Sequence, residues 1–188
     1  MKIVLASGSP RRKEILETAG IPFEVHVSDM EENCSLCVPS EFVMALSRQK
    51  AEAVAAGYTE DVLVIGADTV VSCNDQILGK PKDREDAARM IRMLSGATHQ
   101  VYTGVTLHVS GQSHTFFAVT DVKVAKLDES EIMSYVNSGE PDDKAGAYAI
   151  QGLFGKYITG INGEYYNVMG LPIATLYAHC RDLGIKLM

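Results

Sequence analysis

The chain has 188 residues, enough for one domain with a real core or for two lobes sharing a cleft. Apolar residues make up 46% and charged residues 22%, the balance of a globular protein, and no apolar run is long enough to span a membrane. A net charge of −7 argues against a general nucleic-acid binder, because that affinity rests on a basic surface; small phosphorylated ligands held in a local basic pocket fit better.

The first apolar stretch is only a few residues long and runs straight into charge, unlike a secretory leader, so a cytoplasmic protein is expected. Residues 2–7 read as a buried strand and 9–19 as a short helix closed by Gly20. Between them lies Ser7-Gly8-Ser9-Pro10-Arg11-Arg12-Lys13. Ser9 suits the N-cap, and Pro10 the first helical position. Three cations then sit at the positive end of the helix dipole, unfavourable by roughly 0.3–1 kcal/mol each. A bound anion reverses that sign, and helix N-termini with arginine are suited to phosphate.

Residues 22–27 alternate like a half-exposed strand, and a longer helix is expected from about Ser40 to Ala56. Val62 to Val71 is the most hydrophobic strand of the chain, and Asp68 interrupts it. An ionised carboxylate buried there costs several kcal/mol unless it is paired or bound to metal. The apolar run continues beyond it, so no turn explains it, and a functional role is favoured. A turn at Asn74-Asp75 leads into a short return strand ending at Gly79, and Lys80 follows in a stiff Gly-Lys-Pro loop.

Asp83 caps a helix to about Leu94, and 99–109 and 114–125 form two long antiparallel strands around Ser110-Gly111-Gln112. A helix follows from Asp128 to Gly139. Residues 139–156 are irregular and rich in small residues, either mobile or built to approach a ligand. Within them, Gln151 carries both a donor and an acceptor, as reading the edge of a base requires. Strands near 156–161 and 165–169 and a helix over 171–183 complete an α/β fold with a mixed sheet.

Lys50 on the long helix and the paired acids Glu31-Glu32 add to the candidates. Together these residues offer one or two acids and several bases, the mixture a magnesium–phosphate site requires. Other chemistries fail the pattern test. Gly79-Lys80 is followed by proline, so it is no P-loop, and neither a dinucleotide turn nor a nucleophile elbow is present. Cys34 and Cys37 form a C-x-x-C without two further zinc ligands, and the five histidines are scattered.

Taken in order, Ser7-Gly8-Ser9-Pro10-Arg11-Arg12, Gly66-Ala67-Asp68-Thr69-Val70, Gly79-Lys80-Pro81, Leu94-Ser95-Gly96, Gly139-Glu140-Pro141 with Asp143 to Tyr148, Ile150-Gln151-Gly152, and Val168-Met169-Gly170-Leu171-Pro172 resemble the Maf family over nearly the whole chain. These nucleoside triphosphate pyrophosphatases were historically called septum formation inhibitors. The resemblance implies a single domain over 1–188, with a mixed, partly antiparallel sheet flanked by helices and two lobes around a central cleft. It also implies hydrolysis of a nucleoside triphosphate to the monophosphate and pyrophosphate, a divalent cation (Mg2+ or Mn2+), and a homodimer; the acidic charge and the short apolar runs lead to the expectation of no nucleic-acid or membrane partner.

Carried over by position, Asp68 resembles the catalytic acid/base and, with Glu32, the metal site. Ser7, Arg12, Lys50 and Lys80 resemble the phosphate-binding residues. Arg11, Thr69 and Gln151 fall where the family sets base preference, and their identities are similar to those of the branch acting on dTTP and UTP. The sister branch, acting on 7-methyl-GTP, and a non-catalytic nucleotide sensor regulating division are the competing readings. Ala149 and Phe154 depart from the family pattern beside the expected base site.

Overall fold

Strand β1 (Lys2–Leu5) pairs in parallel with both β2 (Glu24–Val25) and β3 (Val62–Cys73). Its β-branched and leucine side chains are buried almost completely, which suits a strand covered on both faces. The computed structural model describes residues 1–28 and 34–187. Among them, β4 (Gln76–Leu78), β5 (Thr98–Val109), β6 (Gln112–Val124) and β7 (Ile158–Asn162) complete a seven-stranded sheet. The order is β2-β1-β3-β5-β6-β7, with β4 antiparallel to the end of β3 and β7 antiparallel to β6. The sheet is mixed, as the sequence indicates.

Among the described residues six α-helices accompany it: α1 (Pro10–Thr18), α2 (Pro39–Ala55), α3 (Arg84–Leu94), α4 (Glu129–Val136), α5 (Tyr165–Met169) and α6 (Ile173–Asp182). Three helix ends follow their sequence signals. Asp83 caps α3 by accepting from the Asp86 N–H at 2.8 Å. Asp128 and Glu131 form a reciprocal capping box on α4. Gly139, at φ +78°, takes the left-handed conformation just beyond α4. Ser110 and Gly111 both have positive φ, as a two-residue hairpin turn joining β5 to β6 requires.

The chain divides into two compact units. Residues 1–68, 103–118 and 170 onward form the first; 69–102 and 119–169 form the second. In the first, Val4, Ala6, Val62 and Val64 pack against Ala51 and Val54 of α2. In the second, Phe154 is fully buried, with the rings of Tyr135, Tyr148 and Tyr157 around it at centroid distances of 4.9–5.5 Å. Phe154 is thus a core residue of its unit.

Three sequence expectations need correction. The strand expected over 22–27 shrinks to two paired residues, Glu24 and Val25. Ser9 occupies the N-cap position of α1, but its side chain caps nothing; its N–H donates instead to Ser7 Oγ at 3.3 Å. Residues 165–169 are helical. Gly163 reverses the chain at φ +128° against Thr120, and the buried Asn167 amide then donates to the Val101 carbonyl and Thr120 Oγ1. The two hydrogen bonds of that buried amide nitrogen outweigh the β propensity of Tyr165-Tyr166.

Candidate active site

Parallel pairing of β1 and β3 runs to Leu5 opposite Ile65, and the Ala6 N–H still reaches the Ile65 carbonyl at 2.8 Å. Ser7 and Asp68 follow just beyond, at the carboxyl ends of these paired segments, where ligands bind in open α/β sheets. Both are buried, at 7% and 8% exposure.

Arg12 folds back from the first turn of α1. Its Nη1 donates to Ser7 Oγ at 2.9 Å and its Nε to the Gly170 carbonyl at 2.8 Å. The first turn of α1 itself carries no acidic residue. Arg11 is half-buried on the same turn.

Asp68 is paired by Lys50. The ammonium donates to Asp68 Oδ1 at 2.6 Å, with the side chains 17% and 11% exposed. Two glycines create the reach. A Cβ at Gly66 would lie 2.3 Å from the Ser47 carbonyl oxygen and 2.8 Å from the Ala51 nitrogen. One at Gly104 would lie 2.3 Å from the Val43 carbonyl oxygen. The backbone of α2 therefore rests directly on β3 and β5. Gly66 and Asp68 share a face of β3, so the same approach brings Lys50, between Ser47 and Ala51, to the carboxylate. Ser47 Oγ, buried under α2, meets its polar demand through the Met44 carbonyl and Thr106 Oγ1.

The second unit holds Thr69, Lys80 and Gln151. Thr69 is half-buried directly after Asp68; Lys80 and Gln151 are exposed. The carbonyl of Gly79 accepts from the Gly146 N–H at 3.0 Å, which fixes the loop that carries Lys80. Gly146 has φ +68°, and a Cβ there would overlap Val71 at 2.6 Å, so only glycine fits.

Residues 139–157 are not structureless: they form three short 3-10 helices (Glu140–Asp143, Ala145–Ala147 and Leu153–Tyr157). Their anchor, which the sequence reading missed, is Glu140. Its Oε2 accepts from the Leu153 N–H at 2.8 Å, while Oε1 takes the Tyr135 hydroxyl at 2.9 Å and the Phe154 N–H at 3.4 Å. Tyr135 is held neutral, its pKa raised by burial and then by the neighbouring carboxylate. The Gly139-Glu140-Pro141 motif is its only sequence trace.

Of the expected site residues, the structure brings Ser7 to Arg12 and Lys50 to Asp68 within the first unit. Glu32 lies outside the described residues. Among the described residues no group of three or more His, Cys, Asp or Glu side chains is placed to hold a metal ion. Asp68 alone still suits magnesium, which takes one or two carboxylates and fills its remaining positions with water and phosphate oxygens. All four cysteines are free, and burial pushes the Cys180 thiol up to about 11.

The chain belongs to the Maf-like protein family, whose model matches residues 2–183. It is 51% identical to the dTTP/UTP pyrophosphatase of Lachnoclostridium phytofermentans, over 100% of this chain and 98% of that protein. It is 54% identical to the protein of the same name from Agathobacter rectalis, over 98% of each chain. Identity to the Bacillus anthracis dTTP/UTP pyrophosphatase is 49%, over 98% of this chain and 96% of that one.

Proposed function

We propose that this protein is a nucleoside triphosphate pyrophosphatase that hydrolyses dTTP and UTP to the monophosphate and pyrophosphate. The buried Asp68–Lys50 pair carries the reading: a carboxylate and an ammonium, held where α/β sheets bind ligands, match attack by water on a phosphoanhydride. The names of the full-length relatives supply the nucleotides.

In this reading Asp68 takes a proton from water as the water oxygen bonds to the α-phosphorus. The bond from that phosphorus to the bridging oxygen breaks, and pyrophosphate leaves with the electron pair. Arg12, Lys50 and Lys80 compensate the charge on the departing phosphates, and the Ser7 hydroxyl adds a donor. Arg11, Thr69 and Gln151 set base preference. Asp68, with Glu32, would hold a divalent cation, Mg2+ or Mn2+, whose chemistry is to neutralise and orient phosphate oxygens.

A homodimer belongs to the same proposal; Phe117 and Tyr177 leave 42% and 51% of their surface open, apolar area a second copy would cover. Among the described residues no helix is long and apolar enough to cross a membrane. We assign the protein to the cytoplasm, where nucleoside triphosphates are held.

The test is pyrophosphate release from a panel of dTTP, UTP, GTP and 7-methyl-GTP with magnesium. Turnover of dTTP and UTP above the purines supports the reading. Preference for 7-methyl-GTP places the protein in the sister branch, and binding without release makes it a sensor.

A further inference from the structure

Gln151 is exposed in a turn of the second unit, so its own side chain does not fix its place. The turn is fixed from behind. Gly152 N–H donates to the Ala149 carbonyl at 3.2 Å and Gly155 N–H to the Gly152 carbonyl at 3.0 Å. The two N–H groups that open the following 3-10 helix, those of Leu153 and Phe154, both point at the Glu140 carboxylate. Gly152 lies directly against that carboxylate: a Cβ there would sit 2.2 Å from Oε2.

Glu140 is itself held on several sides. Its N–H donates to Ser138 Oγ at 3.2 Å, its carbonyl accepts from Lys144 Nζ at 2.7 Å, and its carboxylate accepts from the Tyr135 hydroxyl at 2.9 Å. A charged acceptor pinned this firmly, and shared by two backbone N–H groups, is stiffer than the neutral bonds of an ordinary turn. It grips residues 153 and 154, immediately after the side chain that would read the base.

We infer that Glu140 is a positioning residue for base recognition: it sets the place of Gln151, and so the discrimination between nucleobases, without touching substrate. The inference rests on the proposed pyrophosphatase reading, with Gln151 at the base. It separates two kinds of binding energy. Losing the carboxylate loosens the base-reading turn and leaves the Ser7–Arg12 and Lys50–Asp68 contacts as they are, since those lie in the other unit.

The experiment compares wild type with Glu140→Ala and Glu140→Gln, using dTTP, UTP and GTP as substrates and inorganic tripolyphosphate as a competitive inhibitor that has no base. The expected result is a rise in KM for dTTP and UTP of about tenfold in the alanine variant and about threefold in the glutamine variant, which keeps one acceptor. kcat stays within about twofold, the preference over GTP narrows, and tripolyphosphate inhibition is unchanged. Unchanged KM and preference overturn the inference. So does tripolyphosphate inhibition weakening in parallel with KM, since that is general damage and not a lost base contact.

Gly152→Ala supplies the second arm should Glu140→Ala not fold. Gly152 has φ −103° and ψ −154°, so alanine is tolerated by the backbone but pushes the turn off the carboxylate. It is expected to reproduce the KM and preference changes, and wild-type behaviour there overturns the inference. Wild-type protein that releases no pyrophosphate from dTTP or UTP refutes the pyrophosphatase reading itself, a separate failure.

Discussion

The Lys50 ammonium meets the Asp68 carboxylate at 2.6 Å, with both side chains less than a fifth exposed. Removing one partner of such a pair takes the opposite charge away from a buried group, at a cost of about 3 kcal/mol. Lys50→Met is therefore expected to lower stability by that order in urea unfolding. Lys50→Met with Asp68→Asn is expected to cost at least about 1 kcal/mol less than the sum of the single changes. Additive costs would mean the two side chains do not interact in solution.

Gly66 is the position where helix and strand touch. Gly66→Ala drives a methyl into the Ser47 carbonyl and Ala51, which should destabilise the protein by about 2–3 kcal/mol and carry Lys50 away from Asp68. Activity is expected to fall with stability. Gly160→Ala is the control: on β7 an added Cβ meets nothing within 4 Å, and thermal unfolding should barely move.

His99 gives a pH dependence of known sign. Its Nε2 shares a 2.7 Å hydrogen bond with the Tyr148 hydroxyl, its Nδ1 has no partner among the described residues, and burial lowers its pKa from 6.5 to about 4. Between those values the unfolded chain binds a proton that the folded protein refuses. The stability linked to His99 is thus complete above pH 6.5 and is lost as pH falls toward 4, amounting to about 2 kcal/mol between pH 7 and pH 5. His99→Gln, neutral throughout, should flatten that part of the urea-unfolding profile; an unchanged slope would assign the effect elsewhere.

Lys80 is exposed, so Lys80→Ala should leave thermal stability within about 0.5 kcal/mol of wild type. Against that background, a KM for dTTP raised roughly tenfold and a lowered kcat are expected from a lost phosphate contact. Unchanged kinetics would remove Lys80 from the site.

Where a signal was local and periodic, the sequence was enough. The apolar run around Asp68, the Asp83 and Asp128 caps and the Ser110-Gly111 turn all depend on neighbours a few residues away. Expectations failed where a distant partner decides. Tyr165 to Met169 has the composition of a strand, yet Asn167 bonds to Val101 and Thr120 from other strands. Glu140 sits in a segment with no periodicity, and only the fold shows that it anchors Leu153 and Phe154. Gly66 and Gly104 interrupt strands, a recognised mark of close backbone approach, but not of which backbone approaches. Lys50, by sequence, looks like any helical lysine until α2 is laid on β3.

The assignment of Asp68 as the group that activates water is tested most directly by Asp68→Asn, with pyrophosphate release and nucleotide binding measured on the same preparation. The expected result is a loss of at least about 10³-fold in dTTP and UTP turnover with magnesium, while calorimetry still detects dTTP binding. Turnover within about tenfold of wild type would contradict the account, since an amide in that place cannot accept the proton from water.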